Sequence, residues 1–226
     1  MSVPPDADPT GLVVHPQTPR SLRVHDRAVR ATRELLAEGG LAAASTDAIS
    51  RRSGVSKATL YKHWPSRIAI AAEAFGSDMA EAVPLPDTGT TAGDLREHLR
   101  HVSAFYASPE GRVCRELMAA CVRDEGGAAY FRAWFLARRR TAVALLWQRG
   151  VERGDVRVGV DVDTATDLLF GPLVFRLLTG HLPLTEQGAD ALADAAFGGL
   201  LQGPARPPHD LPTTDPHQEE SCATRT

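Results

Sequence analysis

The positions of proline and of strong helix formers restrict the fold of this 226-residue chain more than any other feature. Of sixteen prolines, five lie before residue 20 and five beyond residue 203. Most of the six between them stand where a helical pattern of apolar residues stops, since a proline ring removes an N–H and clashes with the preceding turn. The intervening segments are rich in Ala, Leu, Arg and Glu, and lack alternating β-branched runs. We therefore predict an all-α fold with disordered tails over 1–19 and 203–226.

Helical periodicity divides the chain between the tails into three parts. A small unit spans 20–67, a connector helix covers 68–83, and a larger helical unit spans 84–202. The small unit begins with apolar residues at helical spacing, beside a basic stripe of Arg20, Arg23, Arg27 and Arg30. Gly39 and Gly40 are predicted to end that helix. After a loop from Pro84 to Gly93, further helices are expected near 94–107, 110–123, 128–152, 162–181 and 186–202.

The net charge of −3 conceals a strong asymmetry. Between Arg20 and Arg67 there are ten basic and four acidic residues, a net of +6. The remainder of the chain therefore carries −9. A compact basic module on an acidic body favours binding of nucleic acid at one end. Charge alone also allows a solvated basic face with no such partner.

Two short helices are predicted inside the basic module. Ser45 is a suitable N-cap for the first, with Asp47 in its first turn. A Ser-Gly-Val turn centred on Gly54 ends it, and Ser56 caps a second helix that runs to about His63. This is the arrangement of a helix-turn-helix, in which the second helix enters the major groove of DNA. We expect three apolar side chains to face inward: Ile49, Val55 and Leu60.

The second helix carries side chains suited to reading DNA. Ala58 and Thr59 are small enough for close approach to base edges, and the Thr59 methyl group suits a thymine methyl. The polar side chains left for phosphates or bases are Lys57, Tyr61, Lys62 and His63. Lys57 and Lys62 are the only lysines in a chain with twenty-three arginines. The alternative is a surface helix that happens to be basic.

The stretch EGGLAAASTDAISRRSGVSKATLYKHWPSR, Glu38 to Arg67, resembles the DNA-binding signature of the TetR/AcrR-type transcriptional regulators. Residues 153–180 resemble, more weakly, the dimerisation helix of one branch. The resemblance implies a homodimer with a three-helix DNA-binding domain and a C-terminal effector domain. By position it places DNA contacts at Ser45, Thr46, Lys57, Ala58, Thr59, Tyr61, Lys62, His63 and Arg67. Three residues depart from the usual pattern: Trp64 replaces Phe, Arg67 replaces Lys, and Ser50 replaces Ala.

In that family the effector pocket lies among the middle helices. Here those helices supply a mainly apolar set: Phe105, Met118, Cys121, Phe131, Trp134, Phe135, Leu146 and Trp147. Such a lining suits a small lipophilic effector, although the same residues at helical spacing also describe a filled core. The helix near 162–181 is apolar almost all round. We expect it to pair with the helix near 186–202 across a four-helix homodimer interface.

Several classes of function are disfavoured. The chain has no run of 18 apolar residues and no basic-apolar leader, so we expect a cytoplasmic protein that does not enter membranes. Three cysteines without CxxC spacing, and His98 and His101 without a third ligand, predict neither a metal nor a cofactor. Hydrolase, P-loop and dinucleotide motifs are missing, which argues against an enzyme. The leading hypothesis is a repressor that a small effector releases from a pseudo-palindromic operator. The alternative is a DNA-binding regulator without such a switch, controlled by a protein partner.

Overall fold

The computed structural model describes residues 18–82, 85–156 and 159–200. In those ranges the chain forms ten α-helices and no β-strand, which confirms the predicted all-α fold. The helices are α1 Pro19–Ala43, α2 Thr46–Ser53, α3 Lys57–His63, α4 Arg67–Ala82, α5 Thr91–Ala107, α6 Pro109–Cys121, α7 Glu125–Phe131, α8 Ala137–Arg153, α9 Val162–Thr179 and α10 Glu186–Leu200. A π-helical turn, Arg132–Leu136, joins α7 to α8.

The first helix begins earlier than expected. Thr18 caps α1 by accepting a hydrogen bond from Ser21 N at 3.2 Å, and Pro19 is its first residue. Pro19 therefore belongs to α1 and not to an N-terminal tail, because a proline at this position loses no helical hydrogen bond. The rest of the expected tails, 1–17 and 203–226, lies outside the described residues. The predicted break at Gly39-Gly40 is confirmed, with Gly40 at φ +66°, and one further turn follows it.

Two more helix starts lie upstream of their predicted positions, in each case because a polar side chain caps the first turn. Thr90 accepts from Gly93 N at 3.1 Å, so α5 begins at Thr91 and Gly93 lies inside it instead of in a loop. Asp124 accepts from Gly127 N at 2.7 Å, so the helix expected over 128–152 begins at Glu125. The helix expected over 110–123 ends at Cys121.

One continuous apolar core runs from α1 to α10, and the connector α4 lies within it. Helix α4 packs against both α1 and α7, and its alanines at 69, 71, 72 and 74 are fully buried. A Cβ added at Gly76 would lie 2.6 Å from the Trp134 backbone, so α4 and the π-helical turn are in close contact. The connector α4 therefore packs between α1 on one side and α7 with the π-helical turn on the other.

Helix α5 organises the C-terminal half by packing against α6, α8, α9 and α10. Leu95 and Leu99 on this helix are fully buried. None of the helices in the described ranges combines the length and the apolarity needed to cross a membrane.

Candidate nucleic-acid interface and ligand cavity

Local hydrogen bonds build the two short helices as the sequence predicts. The Ser45 side chain accepts from Ala48 N at 3.2 Å and caps α2. Gly54 ends α2 in the left-handed region at φ +66° and donates its N–H to Ser50 O. The Ser56 hydroxyl then accepts from Thr59 N at 3.2 Å and caps α3. These caps fix the turn between the helices because they satisfy amide groups that no helix bond can reach.

Burial separates the two faces of α3. The predicted inward residues Ile49, Val55 and Leu60 are buried, as is Trp64 directly after the helix. The opposite face leaves four side chains exposed: Lys57, Ala58, Tyr61 and Lys62. Tyr61 is 57% exposed, which is unusual for an aromatic side chain and leaves its ring available to a partner. The arginines of the α1 stripe are exposed as well.

The charged residues predicted to contact DNA have different surroundings. Lys57 forms an ion pair with Asp47, and the hydrogen bond and charge of Lys57 lower the pKa of Asp47. Lys62 has no ion-pair partner among the described residues. Arg67 donates from Nη1 to Leu41 O at 3.1 Å, at the end of α1. Lys62 is thus the cation of this set most accessible to a phosphate.

His63 differs from the other predicted contacts. Its side chain is half-buried, and burial, followed by the charge of His25, lowers its pKa. The imidazole is therefore neutral near pH 7 and adds no positive charge to the surface. Its backbone oxygen accepts a hydrogen bond from the Tyr130 hydroxyl at 2.9 Å. The last carbonyls of a helix have no partner within it, so this bond from α7 ties down the end of α3.

A buried polar cluster supports α3 from behind, and sequence reasoning missed it. The Glu73 side chain on α4 is 1% exposed. Its Oε2 accepts from the Trp64 indole N–H at 2.5 Å, and its Oε1 lies 2.9 Å from His25 Nε2 on α1. The His25 ring also stacks on Trp64 with centroids 4.8 Å apart. The only sequence signals were a glutamate within the apolar run of α4 and a tryptophan at a position usually occupied by phenylalanine.

Helices α6 and α7 contact the helix-turn-helix region directly. Glu116 on α6 accepts from Leu41 N at 2.8 Å, at the turn that follows the break in α1. Asp124 accepts from the Ser66 hydroxyl at 3.0 Å, just before α4 begins. With the bond from Tyr130 to the end of α3, these contacts connect the middle of the chain to three points around the exposed face.

A cavity of about 290 Å³ lies among α5, α6, α8 and α9. Its apolar lining consists mainly of Val102, Met118, Phe135, Val143, Phe170 and Val174, and its polar lining of His98, Tyr106, Arg139, Arg140, Thr166 and Asp167. Of the residues expected to bind an effector, Met118 and Phe135 belong to this lining. The others lie outside it: Phe105, Cys121, Phe131, Trp134, Leu146 and Trp147.

Most of those other residues serve the core. Phe131 stacks on Phe135 with centroids 4.9 Å apart, and Phe105 packs against Phe75 at 6.2 Å. Cys121 is half-buried, and burial raises the pKa of its thiol to about 11. It therefore stays protonated and unreactive at neutral pH.

Helix α9 presents its remaining surface to solvent. Three of its large apolar side chains are about half exposed, with Leu168 at 51%, Phe175 at 58% and Leu178 at 46%. Their spacing places them on one stripe. On α10 the exposed positions include small residues, among them Ala191 and Ala195. Such an apolar patch on a monomer is characteristic of an association surface.

Comparison with known sequences identifies the class. Residues 28–74 match the profile of the bacterial regulatory proteins of the tetR family, and residues 85–196 match that of the tetracyclin repressor-like C-terminal domain. The chain belongs to the TetR family of DNA-binding transcriptional regulators.

Individual relatives agree with this assignment. The helix-turn-helix transcriptional regulator YdeS of Bacillus subtilis (strain 168) is 36% identical over 182 residues, covering 80% of this chain and 92% of YdeS. AqdR of Rhodococcus erythropolis, another helix-turn-helix regulator, is 27% identical over 81% of this chain and 86% of its own length. The crystal structure of the TetR family regulator SCO0332 superposes with a TM-score of 0.69, at 33% identity, covering 80% of this chain and all of that one.

Proposed function

We propose that this regulator is a homodimeric repressor that binds a pseudo-palindromic operator through α3 and releases it when a small effector enters the cavity. One observation carries the proposal: α6, which lines the cavity, and α7, which leads directly into the cavity wall, both contact the helix-turn-helix region. Met118 lines the cavity and Glu116 bonds the end of α1 from the same helix, α6. Phe135 lines the cavity one turn after the helix whose Tyr130 bonds the end of α3.

The exposed face of α3 supports the DNA-reading part of the proposal. Lys57 and Lys62 supply phosphate contacts, and Ala58, Thr59 and Tyr61 supply contacts to base edges. Ser45 and Thr46 lie at the start of α2, where free amide groups attract a phosphate. Arg67 completes the basic rim, and His63 contributes a neutral ring.

The apolar stripe on α9 supports the dimer. Two copies that pair through α9 and α10 would cover Leu168, Phe175 and Leu178 and form a four-helix bundle. A two-fold axis there presents two α3 helices to one face of DNA. Operator half-sites must then lie about 34 to 36 Å apart, or a multiple of that distance.

An effector acts in this scheme by favouring one separation of the two α3 helices over another. It can shift the equilibrium only by its difference in affinity for the two states. The contacts from α6 and α7 move with the cavity wall, so a change in the wall changes the positions of α3 and of the start of α4. FadR of Bacillus subtilis, which shares the fold with a TM-score of 0.56 at 17% identity, has been solved with stearoyl-CoA.

Selection of bound sequences from a random duplex DNA pool tests the DNA-reading part. We expect enrichment of a pseudo-palindrome at near-physiological salt. Tyr61→Ala and Lys62→Ala should then weaken binding to the selected duplex at least tenfold in fluorescence anisotropy. The matched control is Arg96→Ala, because Arg96 pairs with Asp194 between α5 and α10. Equal affinity of all four proteins for the selected duplex would refute α3 as the recognition helix.

A further inference from the structure

One of the two arginines that line the cavity has a buried N–H group without an acceptor in the described part of the chain. Three consecutive arginines lie in the first turn of α8, and each has different surroundings. Arg138 lies over the Trp134 ring at 5.3 Å. Arg140 is held by Asp163 at 2.7 Å and by Asp167 at 2.5 Å. Arg139 extends into the cavity lining without a carboxylate partner in the described part of the chain.

The surroundings of Arg139 are mostly apolar. Its guanidinium carbon lies 5.1 Å from the centre of the Phe105 ring and 5.3 Å from that of Phe135. These ring faces attract the cation. Its Nη2 is buried and has no hydrogen-bond acceptor within the described residues. Burial also lowers the pKa of Arg139, although an arginine remains charged at neutral pH. A buried donor without an acceptor is costly, and an incoming anion would remove that cost.

The charged and phenolic neighbours of Arg139 in the lining leave this role to it. Asp167 is the only carboxylate in the lining, and it is bound to Arg140 and 70% exposed on its side chain. The Tyr106 hydroxyl stays protonated, because burial raises its pKa. It can therefore donate a second hydrogen bond to an anion next to Arg139.

The remaining wall determines what is attached to the anion. Val102, Met118, Val143, Phe170 and Val174 offer only apolar atoms. The volume of about 290 Å³ equals that of roughly ten water molecules at ~30 Å³ each. It suits a body of on the order of ten to fifteen non-hydrogen atoms and is at the lower limit of ordinary ligand pockets.

We propose that the effector is a compact organic carboxylate with an apolar body. Its carboxylate pairs with the Arg139 guanidinium, and its body packs against the apolar wall of the cavity between α5 and α9. The guanidinium fork matches a carboxylate through two parallel N–H bonds, which an ammonium group cannot supply. This inference rests on the proposed effector function of the cavity and adds the chemical class of the ligand.

Calorimetric titration of the full chain without DNA tests the site, first with three probes that share a ten-carbon alkyl chain and differ in the head group. The probes are decanoate, 1-decanol and decyltrimethylammonium, extended by hexanoate, dodecanoate and 4-phenylbutyrate to vary the body. We expect decanoate to bind at least tenfold more tightly than decanol, and the ammonium compound not to bind. Arg139→Met should weaken decanoate binding tenfold or more, and Arg139→Lys should give an intermediate affinity. The matched control Arg138→Met should stay within twofold of wild type.

Three results would overturn the inference: decanol binding as tightly as decanoate, Arg139→Met retaining wild-type affinity, or no binding of any carboxylate in the series. Circular dichroism shows whether each variant is folded. If Arg139→Met does not fold, the affinity of Arg139→Lys decides the test. Because the titration contains no DNA, failure here refutes the anion site alone. If the wild-type protein shows no sequence-specific binding in the separate anisotropy measurement, the proposed function is refuted instead.

Discussion

Replacement of the buried Glu73 should destabilise the DNA-binding region strongly. The carboxylate accepts the Trp64 indole N–H at 2.5 Å and lies 2.9 Å from His25 Nε2, with only 1% of its side chain exposed. A hydrogen bond to a charged group contributes about 1.5 to 3 kcal/mol, and each buried donor left without an acceptor costs about 1 to 3 kcal/mol. We therefore expect Glu73→Ala to lower the free energy of unfolding by about 3 to 5 kcal/mol.

Two milder variants separate the contribution of the Glu73 charge from that of the Trp64 hydrogen bond. Glu73→Gln keeps an acceptor for the indole but loses the charge, so about 1 to 2 kcal/mol should be lost, the difference between a charged and a neutral hydrogen bond. Trp64→Phe removes the donor. If the two groups interact as described, the double variant should lose less stability than the sum of the single variants, by about 1 kcal/mol or more.

Urea denaturation at pH 7 and one fixed protein concentration measures these changes, since a dimer gains stability with concentration. The midpoint should fall while the slope stays constant. Glu38→Gln is the matched control, because Glu38 is exposed and pairs with Arg52 on the surface, and its midpoint should not move. A Glu73→Ala midpoint equal to that of the control would refute the assigned role of the cluster.

Three further predictions concern charge and assembly. Lys62→Ala should reduce the slope of log affinity against log salt by about 0.9 for the selected operator, and equal slopes for wild type and Lys62→Ala would contradict the phosphate contact. His63→Gln should leave the slope unchanged at pH 7.5, since a lowered pKa keeps His63 neutral there. Phe175→Glu should convert the dimer to a monomer in analytical ultracentrifugation, and a dimer of unchanged affinity would exclude α9 from the interface. Burial raises the pKa of Asp94, but hydrogen bonds from Thr88 and the ion pair with Arg153 outweigh it and lower the pKa. Its stabilisation is therefore fully present at neutral pH and decreases as the pH falls below the ordinary aspartate pKa of 3.8 toward the lowered one. Asp94→Asn should lower the urea midpoint more at pH 7 than at pH 3, and an equal loss at both values would refute the assignment.

Local signals explain what the sequence could predict. The caps at Ser45 and Ser56 and the left-handed Gly54 depend on residues within three or four positions of one another, so they can be read without tertiary contacts. The same holds for the inward side chains of α2 and α3, which follow helical period. The starts of α5 and α7 lie three residues before their predicted positions because Thr90 and Asp124 cap them.

Tertiary packing decides what the sequence could not reveal. Arg138, Arg139 and Arg140 form a charge run of the kind usually found on a solvated face, and only the fold shows that Arg139 and Arg140 line the cavity whereas Arg138 lies over the Trp134 ring. Likewise, helical spacing cannot distinguish Met118 and Phe135, which line the cavity, from Phe131 and Trp147, which do not. A run of like residues on a helix points in several directions, so its members need not share a role.

The coupling between the cavity and the recognition helix is tested most directly by the affinity for the selected operator, measured by fluorescence anisotropy with and without saturating decanoate. We predict that decanoate weakens operator binding at least tenfold and that operator weakens decanoate binding by the same factor, as linkage requires. Arg139→Met should bind operator normally but need at least tenfold more decanoate for the same release. An operator affinity that saturating, calorimetrically bound decanoate leaves unchanged would contradict the coupling between cavity and recognition helix.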